Sequence, residues 1–405
     1  MSDSNRVRVP PPARAMSRAA AIVGVGETDY HLDYKAARAK APGYEPPTPE
    51  SLAKTAFERA LADSGLQRSD IDGLSLSLIY GGPNAGSMAQ TLSLNPRYLI
   101  ENGGIMAGPL QVICAAIAEG KCGTVAMVYA AASRAIGRQY GGNTYQGGQG
   151  PASYYYYHPW GWSSQAAHWA LMFRYYQAAH GASEEQLGAV AVQLRRNAMA
   201  NPNAVMQLPL SIEDYLSSRY IVRPLHLFDL CLVNDGAVCF IVRRADKASG
   251  LPHTPVLVAG WGESKIKNNK MHYMVRERLR PQLQEAGAQA LRMADKTISD
   301  IQHFEGYDTS TIHLLSQLEG YGFAQPGAGL EHFKQENVAA GNRLHINVSG
   351  GMLSEAYMHG WNHVAEITRQ LRHEAGSRQI KGVETSMLSV TQTDQAHPII
   401  FVRGT

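Results

Sequence analysis

Residues 341–360 read Gly341-Asn342-Arg343-Leu344-His345-Ile346-Asn347-Val348-Ser349-Gly350-Gly351-Met352-Leu353-Ser354-Glu355-Ala356-Tyr357-Met358-His359-Gly360. Apolar side chains at 344–348 predict a buried strand. The adjacent Gly350 and Gly351 predict a sharp turn, because glycine adopts backbone angles that a Cβ forbids. A polar loop then feeds a helix over 361–372, where Val364, Ile367 and Leu371 share one face.

The same rhythm extends in both directions. Strands are expected at 256–260, 303–306, 384–390 and 397–402, with helices at 282–294 and 312–321. Nearer the start, strands at 19–26, 73–80, 124–130 and 235–242 alternate with helices at 49–64 and 109–119, the latter closed by Gly120. Continuously apolar strands alternating with helices predict an α/β fold whose sheet is covered on both faces. The pattern divides into halves at 19–254 and 255–405 that read as pseudo-duplicated, although no internal repeat is evident in the letters. Gly24-Val25-Gly26 lacks the third glycine of a dinucleotide fingerprint.

Residues 135–220 interrupt the alternation. Glycines at 141, 142, 147, 148 and 150 lead into four tyrosines at 154–157 and then His158-Pro159-Trp160-Gly161-Trp162. Such a cluster is either a platform for a large apolar ligand surface or a core or dimer contact. Helices at 166–179 and 183–200 follow, and the segment reads as a cap inserted between sheet units.

At 405 residues the chain exceeds one simple core. A net charge of +3 offers no electrostatic case for nucleic acid or an anionic membrane. Cys114, Cys122, Cys231 and Cys239 lie in apolar runs without Cys-x-x-Cys spacing, as structural thiols of a reducing cytoplasm do. Residues 1–18, with Pro10 to Pro12, carry no apolar stretch of the secretory kind and are expected to be a mobile tail. No apolar run approaches the ~20 residues of a membrane span. A soluble cytoplasmic protein is expected.

The 341–360 stretch resembles the C-terminal active-site loop of the thiolase superfamily, in which a Gly-Gly turn precedes a Gly-His-Pro triplet. Tyr357 stands at the position of that histidine, and His359 lies two residues beyond. Arg223-Pro224 through Asp229 and Asn234-Asp235-Gly236-Ala237 resemble the signature closing the thiolase N-terminal half. His158 to Trp162, and Glu366 through Gly376, are similar to motifs of the sterol-carrier-protein-type branch. The resemblance covers 19–405 and implies two βαβ halves forming a layered α/β/α/β/α core.

Two departures redirect the chemistry. Ile105 or Met106 occupies the position of the thiolase nucleophilic cysteine, and 386–393 lacks the second cysteine. Cys114 falls deep in the expected helix, where apolar burial leaves a thiol inert. A thiolase-like subgroup, the aldolases that cleave side chains of steroid-CoA intermediates, has the same departures and two essential tyrosines. Tyr307-Asp308 and Tyr357 match both positions. The resemblance therefore implies a retro-aldol lyase, with an acyl-CoA substrate, no further cofactor, a homodimeric core and a small zinc-ribbon/OB-fold partner.

That chemistry is self-consistent. Deprotonating a β-hydroxyacyl-CoA lets its Cα–Cβ bond break to a neutral carbonyl and a thioester enolate, so no acyl-enzyme is needed. A base, an acid and a hydrogen-bond site for the enolate oxygen are. Tyrosine serves as acid or base when neighbours draw its pKa below ~10. Tyr307 and Tyr357 are the expected proton-transfer pair, in either order, with His359 as a third candidate. Backbone N–H groups at Gly350 and Gly351 are expected to hold the enolate oxygen, with Asp308 and Asn347 orienting the groups. His359 and His363 have helical zinc spacing but no third ligand, so no metal is expected. Two alternatives remain open: an acyltransferase using Ser354 or Ser389, and a non-catalytic lipid-binding shell.

Overall fold

A computed structural model of the chain describes residues 6–7, 16–39, 43–79, 81–102, 105–137, 158–160, 164–266, 276–334, 344–391 and 395–405. Ten strands build the core: β1 Ala20–Glu27, β2 Gly73–Ile79, β3 Tyr98–Glu101, β4 Thr124–Ala132, β5 Asp235–Arg244, β6 Val256–Trp261, β7 His303–Gly306, β8 His345–Ile346, β9 Thr385–Thr391 and β10 Gln395–Arg403. They lie in the order β8-β7-β9-β10-β6-β1-β5-β4-β2-β3. Numbered within its own half, each set of five therefore reads 3-2-4-5-1, and the two halves join where β1 pairs antiparallel with β6. Parallel and antiparallel pairings also correspond strand for strand.

This symmetry uncovers a repeat that the letters hide. Gly24-Val25-Gly26-Glu27 ends β1, and Gly260-Trp261-Gly262-Glu263 runs from the end of β6 into the next two residues. The glycines are required by close helix approach. A Cβ on Gly26 would stand 2.2 Å from the Ala56 carbonyl oxygen in helix α1 (Pro49–Ser64), and one on Gly262 would stand 2.0 Å from that of Ala286 in the corresponding helix of the second half. Ser69-Asp70-Ile71 and Ser299-Asp300-Ile301 then repeat one short turn, each aspartate accepting from the N–H three residues earlier.

Alternation along the strands divides the core into layers. In β5, Ala237, Cys239 and Ile241 face α1, while Val238, Phe240 and Val242 face the centre. The central layer holds α2 (Ala107–Ala118) and α7 (Trp361–Arg372) between the half-sheets. Helices α5 (Arg276–Ala294) and α6 (Thr311–Tyr321) cover the outer face of the second half. The result is the expected α/β/α/β/α sandwich. Helix α2 carries no charge and buries most of its residues, with Val112 left exposed. Charges on α7 are paired instead: buried Glu366 with Arg378 at 2.8 Å, buried Arg372 with Asp63 at 2.8 Å, and half-buried Arg369 with buried Glu27.

The cap helices α3 (Gln165–His180) and α4 (Glu184–Met199) lie between β4 and β5 in the chain. Ser183 caps α4 by accepting from the Gln186 N–H at 3.1 Å. The tyrosine run at 154–157 and Gly161–Trp162 fall outside the described residues, and Trp160 is 85% exposed. Of the N-terminal segment, Arg6–Val7 pairs antiparallel with residues 265–266, and the Ser17 hydroxyl donates to the Ala259 carbonyl at 2.6 Å. No described helix is long and apolar enough to cross a membrane.

Candidate active site

The quoted stretch folds as strand, turn and helix, but its strand is short. Regular pairing stops at Ile346 because Asn347 adopts a left-handed φ of 42°. Its amide clamps the end of β7: Oδ1 accepts from the Gly306 N–H at 2.7 Å, and Nδ2 donates to the Gly306 carbonyl at 2.9 Å. Asn347 thereby fixes the residue that precedes Tyr307.

Asp308 then shapes the turn. Its carboxylate accepts from the Met352 N–H at 2.9 Å and the Leu353 N–H at 3.2 Å. Gly351 has a φ of +60°, and a Cβ there would lie 2.2 Å from Asp308 Oδ2. Gly350 has a φ of +104° and abuts Ala198 on α4, 2.5 Å from where its Cβ would be. Both N–H groups expected to hold a substrate oxygen have acceptors within the loop: Gly350 donates to the Asn347 carbonyl at 3.0 Å, and Gly351 to Ser349 Oγ at 3.3 Å. The cap buttresses this turn from beneath. Asn197 donates to the carbonyls of Ile346 and Asn347, both at 3.1 Å, and Asn201 to the Ser349 carbonyl at 3.1 Å and Glu355 at 2.8 Å.

Tyr357 and His359 follow, with their rings 4.4 Å apart. The Tyr357 N–H is held by Asn234 Oδ1 at 2.8 Å. His359 sits at φ +50°, its carbonyl accepting from the Met106 N–H at 3.2 Å, and Tyr129 Oη lies 2.7 Å from its Nδ1. Tyr307 reaches the same place from β7. A methyl group on Gly360 would meet Tyr307 at 3.8 Å and Met106 at 3.6 Å. Tyr307, Tyr357, Tyr129, Met106 and Trp361 belong to one buried cluster. Met106, one of the two residues expected at the thiol position, stands at the start of α2 beside the loop.

Charged groups line the rear of the loop. His363 does not share a site with His359; its Nδ1 lies 2.6 Å from Glu305 Oε2 and its Nε2 3.1 Å from Asp308 Oδ1. Glu305 also meets His303 at 2.8 Å and accepts from the Val348 N–H at 3.0 Å. Burial opposes ionisation of Glu305, but hydrogen bonds from His303 and His363 overcome it and bring its pKa to about 2. Burial likewise disfavours the His363 cation, yet Asp308 and Glu305 raise it to about 10. Burial raises Asp308 against the pull of His363. Glu355, bonded by Ser349 at 2.7 Å and Asn362 at 2.8 Å, is pushed up to about 8 by burial and then by the charge of Glu27.

Burial disfavours ionisation of the thiols. Cys231 borders the loop, its N–H donating to the Thr309 carbonyl at 3.1 Å, and burial followed by the Asp308 charge pushes its thiol up to about 12. Burial also raises Cys114. Ser354 accepts from Arg195 Nε at 3.1 Å, and Ser389 donates to Gln317 Oε1 at 2.7 Å. Tyr129, Asn234, Glu305 and His363 all reach the site without a local sequence signal for that role. Tyr129 reads as one more apolar residue of a buried strand, and Asn234 as part of a turn.

Comparison with known proteins finds relatives of the whole chain. Residues 264–396 match the family described as Thiolase C-terminal domain-like. The chain is 33% identical over 370 residues to the steroid side-chain-cleaving aldolase of Thermomonospora curvata, covering 87% of this chain and 90% of that one. It is 33% identical over 372 residues to the 17-hydroxy-3-oxo-4-pregnene-20-carboxyl-CoA lyase of Mycobacterium tuberculosis, covering 88% and 92%. A solved structure, the Ltp2-ChsH2(DUF35) aldolase, superposes with a TM-score of 0.83 at 30% identity over 96% of this chain and 98% of that one. One-third identity across nearly the full length, on a shared fold, means that this chain belongs to the steroid side-chain-cleaving aldolase family of the thiolase superfamily and is a carbon–carbon lyase.

Proposed function

We propose that the chain cleaves a β-hydroxyacyl-CoA, a steroid side-chain CoA ester, by retro-aldol chemistry to a ketone or aldehyde and a shortened acyl-CoA. What supports the mechanism is that Tyr307 approaches Gly360 and Met106, that the His359 carbonyl holds the Met106 N–H, and that the Tyr357 ring stands 4.4 Å from that of His359. One phenolate takes the hydroxyl proton, the Cα–Cβ electron pair moves onto the thioester, and the second phenol protonates Cα. His359, oriented by Tyr129 and by its own backbone hydrogen bond, tunes Tyr357. Asp308 and Asn347 act by shaping the turn and the end of β7. No group forms a covalent bond to substrate, and CoA is the only non-protein group required, as part of the substrate.

The steroid substrate class is supported by the names of both relatives. The same reading includes a partner protein, supported by the two-component name of the similar Ltp2-ChsH2(DUF35) aldolase, and takes a homodimeric core and a zinc-ribbon/OB-fold partner from the family resemblance. The test is incubation with a steroid side-chain β-hydroxyacyl-CoA without free CoA, alone and with a co-expressed partner. Equimolar carbonyl product and shortened acyl-CoA support the reading. Dependence on added CoA, or tight binding without cleavage in either preparation, contradicts it.

A further inference from the structure

His313 is buried one turn into α6, and its ring joins the cap to the site. It stacks on Trp169 of α3 at 4.3 Å and meets Tyr307 edge-on, with centroids 6.0 Å apart and planes at 89°. Nδ1 lies 2.8 Å from Thr309 Oγ1, whereas Nε2, also buried, has no hydrogen-bond partner among the described residues. Buried polar atoms are nearly always paired, so an orphan beside a reacting group calls for a functional cause. Gly350 and Gly351 have already committed their N–H groups within the loop.

We propose that His313 is a catalytic hydrogen-bond donor whose Nε2–H takes the enolate oxygen as the Cα–Cβ bond breaks beside Tyr307. The inference rests on the retro-aldol reading and adds the donor that it lacks. In this assignment the Thr309 hydroxyl, 2.8 Å from Nδ1, is the donor of that pair and the imidazole proton sits on Nε2. Burial pushes the ring's pKa down to about 3, so it is neutral at working pH. A neutral imidazole is a suitable partner, because it donates without transferring its proton to the enolate. The hydroxyl proton goes to the phenolate and Cα takes its proton from the phenol. His313 ends the cycle as it began.

Two readouts test this: cleavage of the β-hydroxyacyl-CoA, and exchange of Cα protons of propionyl-CoA with D2O, which requires the enolate but no steroid. His313→Phe keeps the stacking surface and removes the donor. It should lower both rates about 100- to 1000-fold with KM little changed, while circular dichroism and melting stay near wild type. His313→Gln should recover at least about tenfold by restoring an N–H, and Thr309→Val should fall where Thr309→Ser does not. Rates within about threefold of wild type in His313→Phe, or no recovery in His313→Gln, would overturn the assignment. If His313→Phe does not fold, the tautomer decides: 15N-histidine spectra of the wild type, assigned with His313→Gln, should show the proton on Nε2, and a proton on Nδ1 overturns the inference. A wild type that neither cleaves nor exchanges refutes the lyase reading itself, and the tautomer readout still decides on His313.

Discussion

Tyr129 Oη lies 2.7 Å from Nδ1 of His359, although the two residues are 230 positions apart in the chain. β4 delivers the phenol from the first half and the loop before α7 delivers the imidazole from the second. His359 also stands 4.4 Å, ring to ring, from Tyr357, so one hydrogen bond across the molecule sets the orientation of the group beside the proposed acid–base phenol. Tyr129→Phe should therefore leave the stacked core with Trp361 intact and lower kcat by about 100-fold, as a misplacement of ~1 Å does, with a changed pH profile. Steady-state kinetics across pH checks this.

The turn should tolerate no side chain. Gly350→Ala meets both a disfavoured φ and Ala198, and should cost about 1–3 kcal/mol in urea unfolding together with a fall in kcat. Gly351→Ala, forced against Asp308 Oδ2, should release the Met352 and Leu353 N–H groups and lower kcat more than it lowers stability.

How much of this was readable in advance differs by element. Helix α7 was legible to its ends because its apolar residues repeat at helical spacing and a glycine precedes it. The Gly-Gly turn and Tyr357 were legible because the motif is local. The strand at 344–348 was over-read, since apolar letters do not reveal that Asn347 turns aside to clamp Gly306. The duplication was hidden because it rests on a few glycines and a short turn rather than on runs of identity. Tyr129 and Glu305 carry no local signal for lying beside the loop, because only the fold brings β4 and β7 to it. The partners of His363 show the same limit: helical spacing from His359 was visible, but the carboxylates it meets come from β7 and the residues after it.

The buried His363 ion pairs should dominate the local stability. His363→Ala leaves Glu305 without one partner and Asp308 without its cation, and should cost about 3–5 kcal/mol by denaturant unfolding. The pH dependence has two edges. Glu305 has a lowered pKa, so its contribution is present above its unfolded value of ~4.3 and is lost as pH falls through about 2. His363 has a raised pKa, so its contribution is complete below its unfolded value of ~6.5 and is lost as pH rises through about 10. The variant should lack the alkaline edge and keep a reduced acid edge, because His303 still bonds Glu305.

Glu355 should act in the opposite sense from Glu305. Its folded pKa of about 8 lies above the unfolded ~4.3, so the folded state binds the extra proton between these values and stability declines as pH rises through that window. Glu355→Gln, which cannot ionise, should flatten this decline. Melting temperatures of both proteins from about pH 5 to about pH 8 check the slope.

Sulfur should be dispensable. Cys231→Ser should retain cleavage within about threefold, because a thiol this difficult to ionise contributes no nucleophile. Intact-protein mass spectrometry during turnover should show no acyl adduct.

The most direct measurement is kcat for Tyr357→Phe on a β-hydroxyacyl-CoA that the wild type cleaves, with folding verified by circular dichroism. Removing one oxygen atom should lower turnover by about 100- to 10,000-fold while binding of the CoA ester persists. Turnover near the wild-type rate in that variant would contradict proton transfer through this phenol.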